Sequence, residues 1–228
     1  MPGHNEESSR PWVAGFEVKD CALVAIATGH RARSLRELRD EIETIDVAAI
    51  YFHFWGGLLR PTFDDPRYYN GFAIWAAHAL GNAALAEKLS VIDPTEYPDM
   101  QGVREKLLSV TDEELAYTDG DKRVPADAGF EFVRSQIVVF RTDKTLTDPT
   151  ELAHAVAAMS RTSVFYHFVD ARRRTPDSVD DFTTWLTDIQ RDEHRELCRA
   201  LAAIDPFFDT LSETRSKLAS TFEKYLGA

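Results

Sequence analysis

The chain matches itself. A shift of 114 residues brings Phe16-Glu17-Val18 onto Phe130-Glu131-Phe132, Glu37-Leu38 onto Glu151-Leu152, and Ile50-Tyr51-Phe52-His53-Phe54 onto Val164-Phe165-Tyr166-His167-Phe168. The offset becomes 110 where Asn70-Gly71-Phe72 and Trp75 meet Asp180-Asp181-Phe182 and Trp185. It is 112 at Ile92-Asp93-Pro94 and Ile204-Asp205-Pro206, and 111 at Arg104 and Arg215. Rare residues kept in order across five blocks mark an internal duplication, and the drifts mark changes in loop length. A repeat of this kind constrains the architecture strongly, because each copy has the same apolar faces to bury. The expected organisation is a flexible tail over 1–15, a first helical repeat over 16–115, a linker over 116–129 rich in Asp, Gly and Thr, and a second repeat over 130–226.

Composition narrows the class. With 44% hydrophobic and 11% aromatic residues, the 228-residue chain can build real cores, so extensive disorder is excluded. Its formal charge of −12 repels the phosphate backbone and anionic lipid, so neither nucleic acid nor a membrane is an expected partner. The apolar, uncharged stretches Val47–Leu59 and Gly71–Ala86 fall short of the roughly 20 residues that span a bilayer. The first residues, MPGHNEESSRP, carry no basic-then-apolar leader pattern, and Cys21 and Cys198 form no disulfide framework. A cytoplasmic location is the expectation.

Local signals read as helix. Ser34-Leu35-Arg36-Glu37 has the form of a capping box, and Asp148-Pro149-Thr150-Glu151 stands at the same repeat position. Beyond Ser34, Leu35, Leu38, Ile42, Ile45, Ala49 and Phe52 keep 3–4 spacing. This predicts one long helix whose second half, apolar all round, lies in the middle of a bundle. Asn70 and Asp180/Asp181 read as caps of a following helix, Asp93 and Asp205 before proline as stop signals, and 100–114 and 211–225 as last helices. The openings of the copies differ: Cys21–Thr28 is Ala-rich, whereas Phe130–Phe140 is β-branched and aromatic. Two copies of one fold should agree, so helix is assigned to both. The expected fold is all-α: two tandem, similar helical bundles related by a pseudo-twofold and packed through their aromatic central helices.

Aromatic–aromatic–His–Phe, then Asn/Asp-x-Phe-x-x-Trp, then Leu-x-x-Ile-Asp-Pro, twice in one chain, resembles the prokaryotic family called domain of unknown function 5752. The resemblance covers nearly everything outside the tail and linker. It implies a duplicated helical unit and brings no activity, cofactor or catalytic residue with it.

His53 and His167 are the leading candidates for chemistry, as the polar groups inside matching aromatic stretches. If the copies face one another, the two imidazoles could share a ligand or metal with Asp170, Asp180 or Asp181. The competing reading is that each is a buried histidine bonded to a carbonyl, hydroxyl or carboxylate of its own copy and fixing helix packing, since leaving one unpaired costs about 1–3 kcal/mol. A metal needs three or four ligands, yet Ala49, Ile50, Gly56 and Gly57 flank His53 at helical spacing. Glu151 and His154 have the Glu-x-x-His spacing of bundle di-iron sites, but Glu151 already has a capping role. Arg172, Arg173 and Arg174, with Arg60 at the repeat position of Arg174, either complement a helix C-terminus or bind a phosphorylated sugar or acidic partner. Trp75, Trp185, Asp93, Asp205, Arg104 and Arg215 read as structural repeat positions. No Gly-x-Gly-x-x-Gly, Walker, Cys-x-x-Cys, His-Glu-x-x-His or Gly-x-Ser-x-Gly pattern occurs. The sequence thus favours a non-catalytic binding or regulatory module for a protein partner, with no assigned cofactor. The alternative is a metal- or small-anion-binding helical protein, an enzyme or not, with its site around His53 and His167.

Overall fold

The computed structural model describes residues 14–59, 67–175, 177–189 and 193–227. The all-α expectation is overturned at the start of each copy, where both opening segments are strands. β1 (Phe16–Ala32) and β2 (Phe130–Leu146) pair antiparallel in a two-stranded ribbon. The register centres on Leu23 opposite Ile137, positions related by the same offset of 114 that relates the copies. Local pattern misread β1 because its partner lies more than a hundred residues away. Its middle also lacks the alternation of a half-buried strand, Ala22, Val24 and Ala25 all being exposed.

The ribbon is interrupted symmetrically. Val18 stands where β2 has Thr142, Asp143 and Lys144, and Phe132 stands where β1 has Thr28, Gly29 and His30. Each bulge is stitched by a threonine: Thr142 Oγ1 donates to the Val18 carbonyl and Thr28 Oγ1 to that of Phe132, both at 2.6 Å. Bulges of this kind bend a strand and re-aim its side chains.

Helices supply the rest. The first copy contains α1 (Leu35–Thr44), α2 (Val47–Trp55), α3 (Gly71–His78), α4 (Ala83–Ser90) and α5 (Met100–Leu115). The second contains α6 (Leu152–Ala157), α7 (Arg161–Val164), a π-helical turn over Phe165–Asp170, α8 (Ala171–Arg174), α9 (Asp181–Ile189), α10 (Arg195–Ala202) and α11 (Leu211–Leu226). The single long helix expected from Ser34 is two helices, because Asp46 accepts the Ala48 N–H and caps a new start. Ser160 does the same for Ser163 at the equivalent position. No helix among the described residues is long and apolar enough to cross a membrane.

The core explains why the copies are not separate tandem bundles. β1 opens the first copy but packs on the second: the Phe16 ring lies 4.8 Å from His167 and 5.1 Å from Phe182. β2 returns the exchange, with Phe130 4.5 Å from His53 and 5.0 Å from Phe72. Trp75 Nε1 donates to the Ala128 carbonyl and Trp185 Nε1 to that of Ala14, so each tryptophan anchors the lead-in to the other copy's strand. Residues 116–129, expected as a linker, are tied down as well, with the Val124 N–H donating to Arg33 O at 2.7 Å. The tail expected over 1–15 lies mostly outside the described residues, of which only Ala14 and Gly15 lead into β1.

Each half therefore lacks part of its own core when alone. A fragment ending at residue 125 should show no cooperative thermal transition by circular dichroism, because nothing replaces Phe130 and Phe132 over α2 and α3. Mixing it with the complementary fragment should restore one transition. A cooperative melt of the first fragment by itself would contradict the strand exchange.

Candidate functional site

His53 and His167 carry out the same structural task in opposite halves. His167 Nε2 accepts the N–H of Lys19 at 2.8 Å, and His53 Nε2 accepts that of Val133 at 3.2 Å, each beside a bulge. Lys19 and Ala27, the partner of Val133, are eight residues apart on β1. At about 3.3 Å per residue, the two imidazoles grip points roughly 26 Å apart. They do not face one another, and each sits in its own aromatic set.

Around His167 the second copy has an ionic network. The Nε2 acceptor role leaves the proton of the neutral ring on Nδ1, which donates to Asp181 Oδ2 at 2.8 Å. Arg174 Nη2 donates to the same oxygen at 3.0 Å, and Arg174 Nε to Asp170 Oδ2 at 3.0 Å. Asp170 Oδ1 accepts from Arg173 Nε and Nη2 at 3.1 and 2.9 Å, and from Tyr51 Oη, reaching over from the first copy, at 3.0 Å. Asp170 is 1% exposed, so its charge is tolerable only with this full set of donors. The π-helical turn carries both His167 and Asp170; such turns occur mostly as insertions in α-helices, often at functional sites. Burial and the adjacent Asp170 charge hold the Tyr51 phenol well above its ordinary range.

The two aspartates and Arg173 and Arg174 balance in charge, which leaves Arg172 over. Its guanidinium stacks 4.7 Å from the Phe168 ring and makes one long hydrogen bond, Nη2 to the Ile204 carbonyl at 3.3 Å. Burial pushes its pKa down, against the pull of Asp180, Asp205 and Asp93. Arg172 and Arg173 form one wall of a cavity of about 240 Å³ between the copies, with Tyr51, Trp55 and Tyr97 on other walls.

The remaining candidates are structural. Asp180 is buried and caps α9 by accepting the Thr183 N–H and hydroxyl, both at 2.8 Å, and desolvation raises its carboxyl. Asp93 caps at Thr95 and Asp205 at Phe207. Arg104 and Arg215 do not pair with these aspartates; they bind the Ile45 and Met159 carbonyls, which follow α1 and α6. Glu151 closes its capping box. Arg60 lies outside the described residues. Among the described residues, no three His, Cys, Asp or Glu side chains converge as a metal site would require.

Tyr51, Trp55 and Tyr97 escaped the sequence reading because aromatic residues in an apolar helix read as core. The duplication itself held a signal: Asp170 stands at the position of Gly56 and Asp181 at that of Gly71. A carboxylate in one copy where the other has no side chain marks the altered half.

Residues 13–223 match the family described as "Family of unknown function (DUF5752)". None of the curated proteins matches the chain. Among solved structures, that of OrfY from Thermoproteus tenax superposes with a TM-score of 0.81 at 29% sequence identity, covering 94% of this chain and 98% of that one.

Tyr51→Phe should lower stability by about 1.5–3 kcal/mol at pH 8, the value of one hydrogen bond to a charged group. The phenol's pKa is higher in the folded chain than in the unfolded one. Its contribution is therefore complete below pH 10 and is lost as pH rises beyond that, when only the unfolded chain ionises readily. Urea titrations of both proteins at pH 8 and pH 11 should show the gap narrowing.

Proposed function

We infer that this chain, which belongs to the DUF5752 family, is a cytoplasmic, non-catalytic binding or regulatory module that offers its β-ribbon to a protein partner. The observation that carries this reading is the character of the ribbon's middle. Val24, Val138, Val139 and Phe140 are 42–49% exposed. Cys21–His30 and Ser135–Phe140 contain no Lys, Arg, Asp or Glu, in a chain of net charge −12. Among the described residues no third strand pairs with either edge. An uncharged apolar strip with open strand edges invites coverage, because soluble chains usually blunt such edges with charge or proline. Ionic groups stand only at its borders, Arg134 opposite Ile26 and Asp20 opposite Phe140, so a partner covering the middle would desolvate few of them.

The other polar groups support a role without chemistry of the chain's own. Both ring nitrogens of His167 are engaged in packing, and Asp170 is saturated by donors. A metal at His53 and His167, the competing reading, would have to displace those bonds. Elemental analysis separates the two, since stoichiometric metal lost in a His53→Ala, His167→Ala double variant would favour the competitor.

The direct test is purification of the tagged protein from its own cells. The wild type should retain one defined protein at constant stoichiometry. A Val24→Asp, Val138→Asp variant should melt within ~2 °C of it, as exposed substitutions do, and lose that protein. A partner still held by the variant, or a wild type that elutes alone, overturns the reading.

A further inference from the structure

The cavity between the copies has a different chemistry from the ribbon. It is bounded by Tyr51 and Trp55 of α2, by Tyr97 in the approach to α5, and by Arg172 and Arg173 of α8. Arg172 is half-buried, and among the described residues no carboxylate reaches it at ion-pair distance. A guanidinium has five N–H donors, and only one of those on Arg172 is spent, on a long bond. Arg173 spends Nε and Nη2 on Asp170, and its guanidinium lies 5.2 Å from the Tyr51 ring on the same cavity wall. One acidic residue, Asp99, also borders the space, but its Oδ1 accepts the Gln101 and Gly102 N–H groups as the cap of α5.

The duplication sharpens the point. At the offset of 114, Arg172 and Arg173 stand where the first copy has Leu58 and Leu59. The two cations are therefore not needed to build the unit. Burying charge without a partner is costly, so the presence of Arg172 beside aromatic walls calls for a counter-charge, whereas Arg173 already has Asp170. Ser178, a non-glycine residue held at φ 53°, also borders the cavity. Backbone of that kind persists where the surroundings enforce it and clusters at ligand sites. A volume of about 240 Å³ exceeds the roughly 150 Å³ that holds a benzene ring and lies below the roughly 300 Å³ at which drug-sized pockets begin. It admits one ring with one acidic group and excludes a nucleotide.

We propose that this cavity is a binding site for a small organic anion, a carboxylate or phosphate carried on a single ring, with the acidic group held by Arg172 and Arg173 and the ring between Trp55 and Tyr97. The site is independent of the ribbon and of the reading built on it. Guanidinium forks suit both anions, and the aromatic walls require a body beyond the anion itself.

Isothermal titration calorimetry on the full chain in low-salt Tris tests this with phenyl phosphate, benzoate, inorganic phosphate and benzyl alcohol. One or both ring-borne anions should bind at least tenfold more tightly than inorganic phosphate, and benzyl alcohol should give no saturable heat; whichever of phenyl phosphate and benzoate binds better identifies the acid. Arg172→Gln should weaken the better anion tenfold or more, Arg172→Lys should restore part of the loss, and Arg199→Gln on exposed α10 should change nothing. Circular dichroism confirms that each variant is folded. Equal affinity in the wild type and folded Arg172→Gln, inorganic phosphate binding as well as phenyl phosphate, or no heat from either ring-borne anion overturns the proposal.

Discussion

Two imidazoles, that of His167 buried and that of His53 partly so, each accept a backbone N–H from the strand of the other copy and hold this architecture together. A bulge interrupts the ladder beside Lys19 and beside Val133, and an imidazole nitrogen meets each of those N–H groups. Leaving a buried donor unmet costs about 1–3 kcal/mol, so two of them would consume a large part of the roughly 5–15 kcal/mol that stabilises a domain. The aromatic rings stacked on each histidine then follow from position: the bulge that presents the N–H also turns Phe16 or Phe130 onto the helices. Fold and histidine are one device, used twice.

Onto that symmetric frame the second copy adds charge. Where the first copy has Gly56, Gly71, Leu58 and Leu59, the second has Asp170, Asp181, Arg172 and Arg173. The glycines are not free positions: a Cβ at Gly71 would come 2.9 Å from His53 Nδ1, and one at Gly56 2.8 Å from the Phe52 ring. Packing in the first copy therefore forbids what the second exploits. Asp170 draws Tyr51 across the junction, so the added charges also tie the halves together.

Much of this was legible in one dimension. The duplication, the caps at Ser34, Asn70, Asp148 and Asp180, and the last helices are local facts, decided by hydrogen bonds and apolar spacing within a few residues. The two strands were not, since Ala-rich β1 has no helix-breaking residue before Gly29 and its partner is remote in sequence. Nor was the cavity: Tyr51, Trp55 and Tyr97 join Arg172 only when α2, α5 and α8 meet. For the histidines, the expected bond within the same copy is met by His167 Nδ1 on Asp181, but both Nε2 atoms bind backbone of the other copy's strand, and the distance along the ribbon keeps the two imidazoles from facing one another.

What the sequence by itself determined is the repeat, the family and the helix starts at Ser34, Asn70, Asp148 and Asp180, because the caps rest on local chemistry written in adjacent residues. Tertiary structure alone decided that each strand is given to the opposite copy, that the histidines bind backbone at opposite ends of the ribbon, and that Arg172 has no carboxylate at ion-pair distance among the described residues. The physical reason is the same in each case. Pairing energies between groups more than a hundred residues apart depend on which surfaces meet, and the order of residues within either copy does not state that.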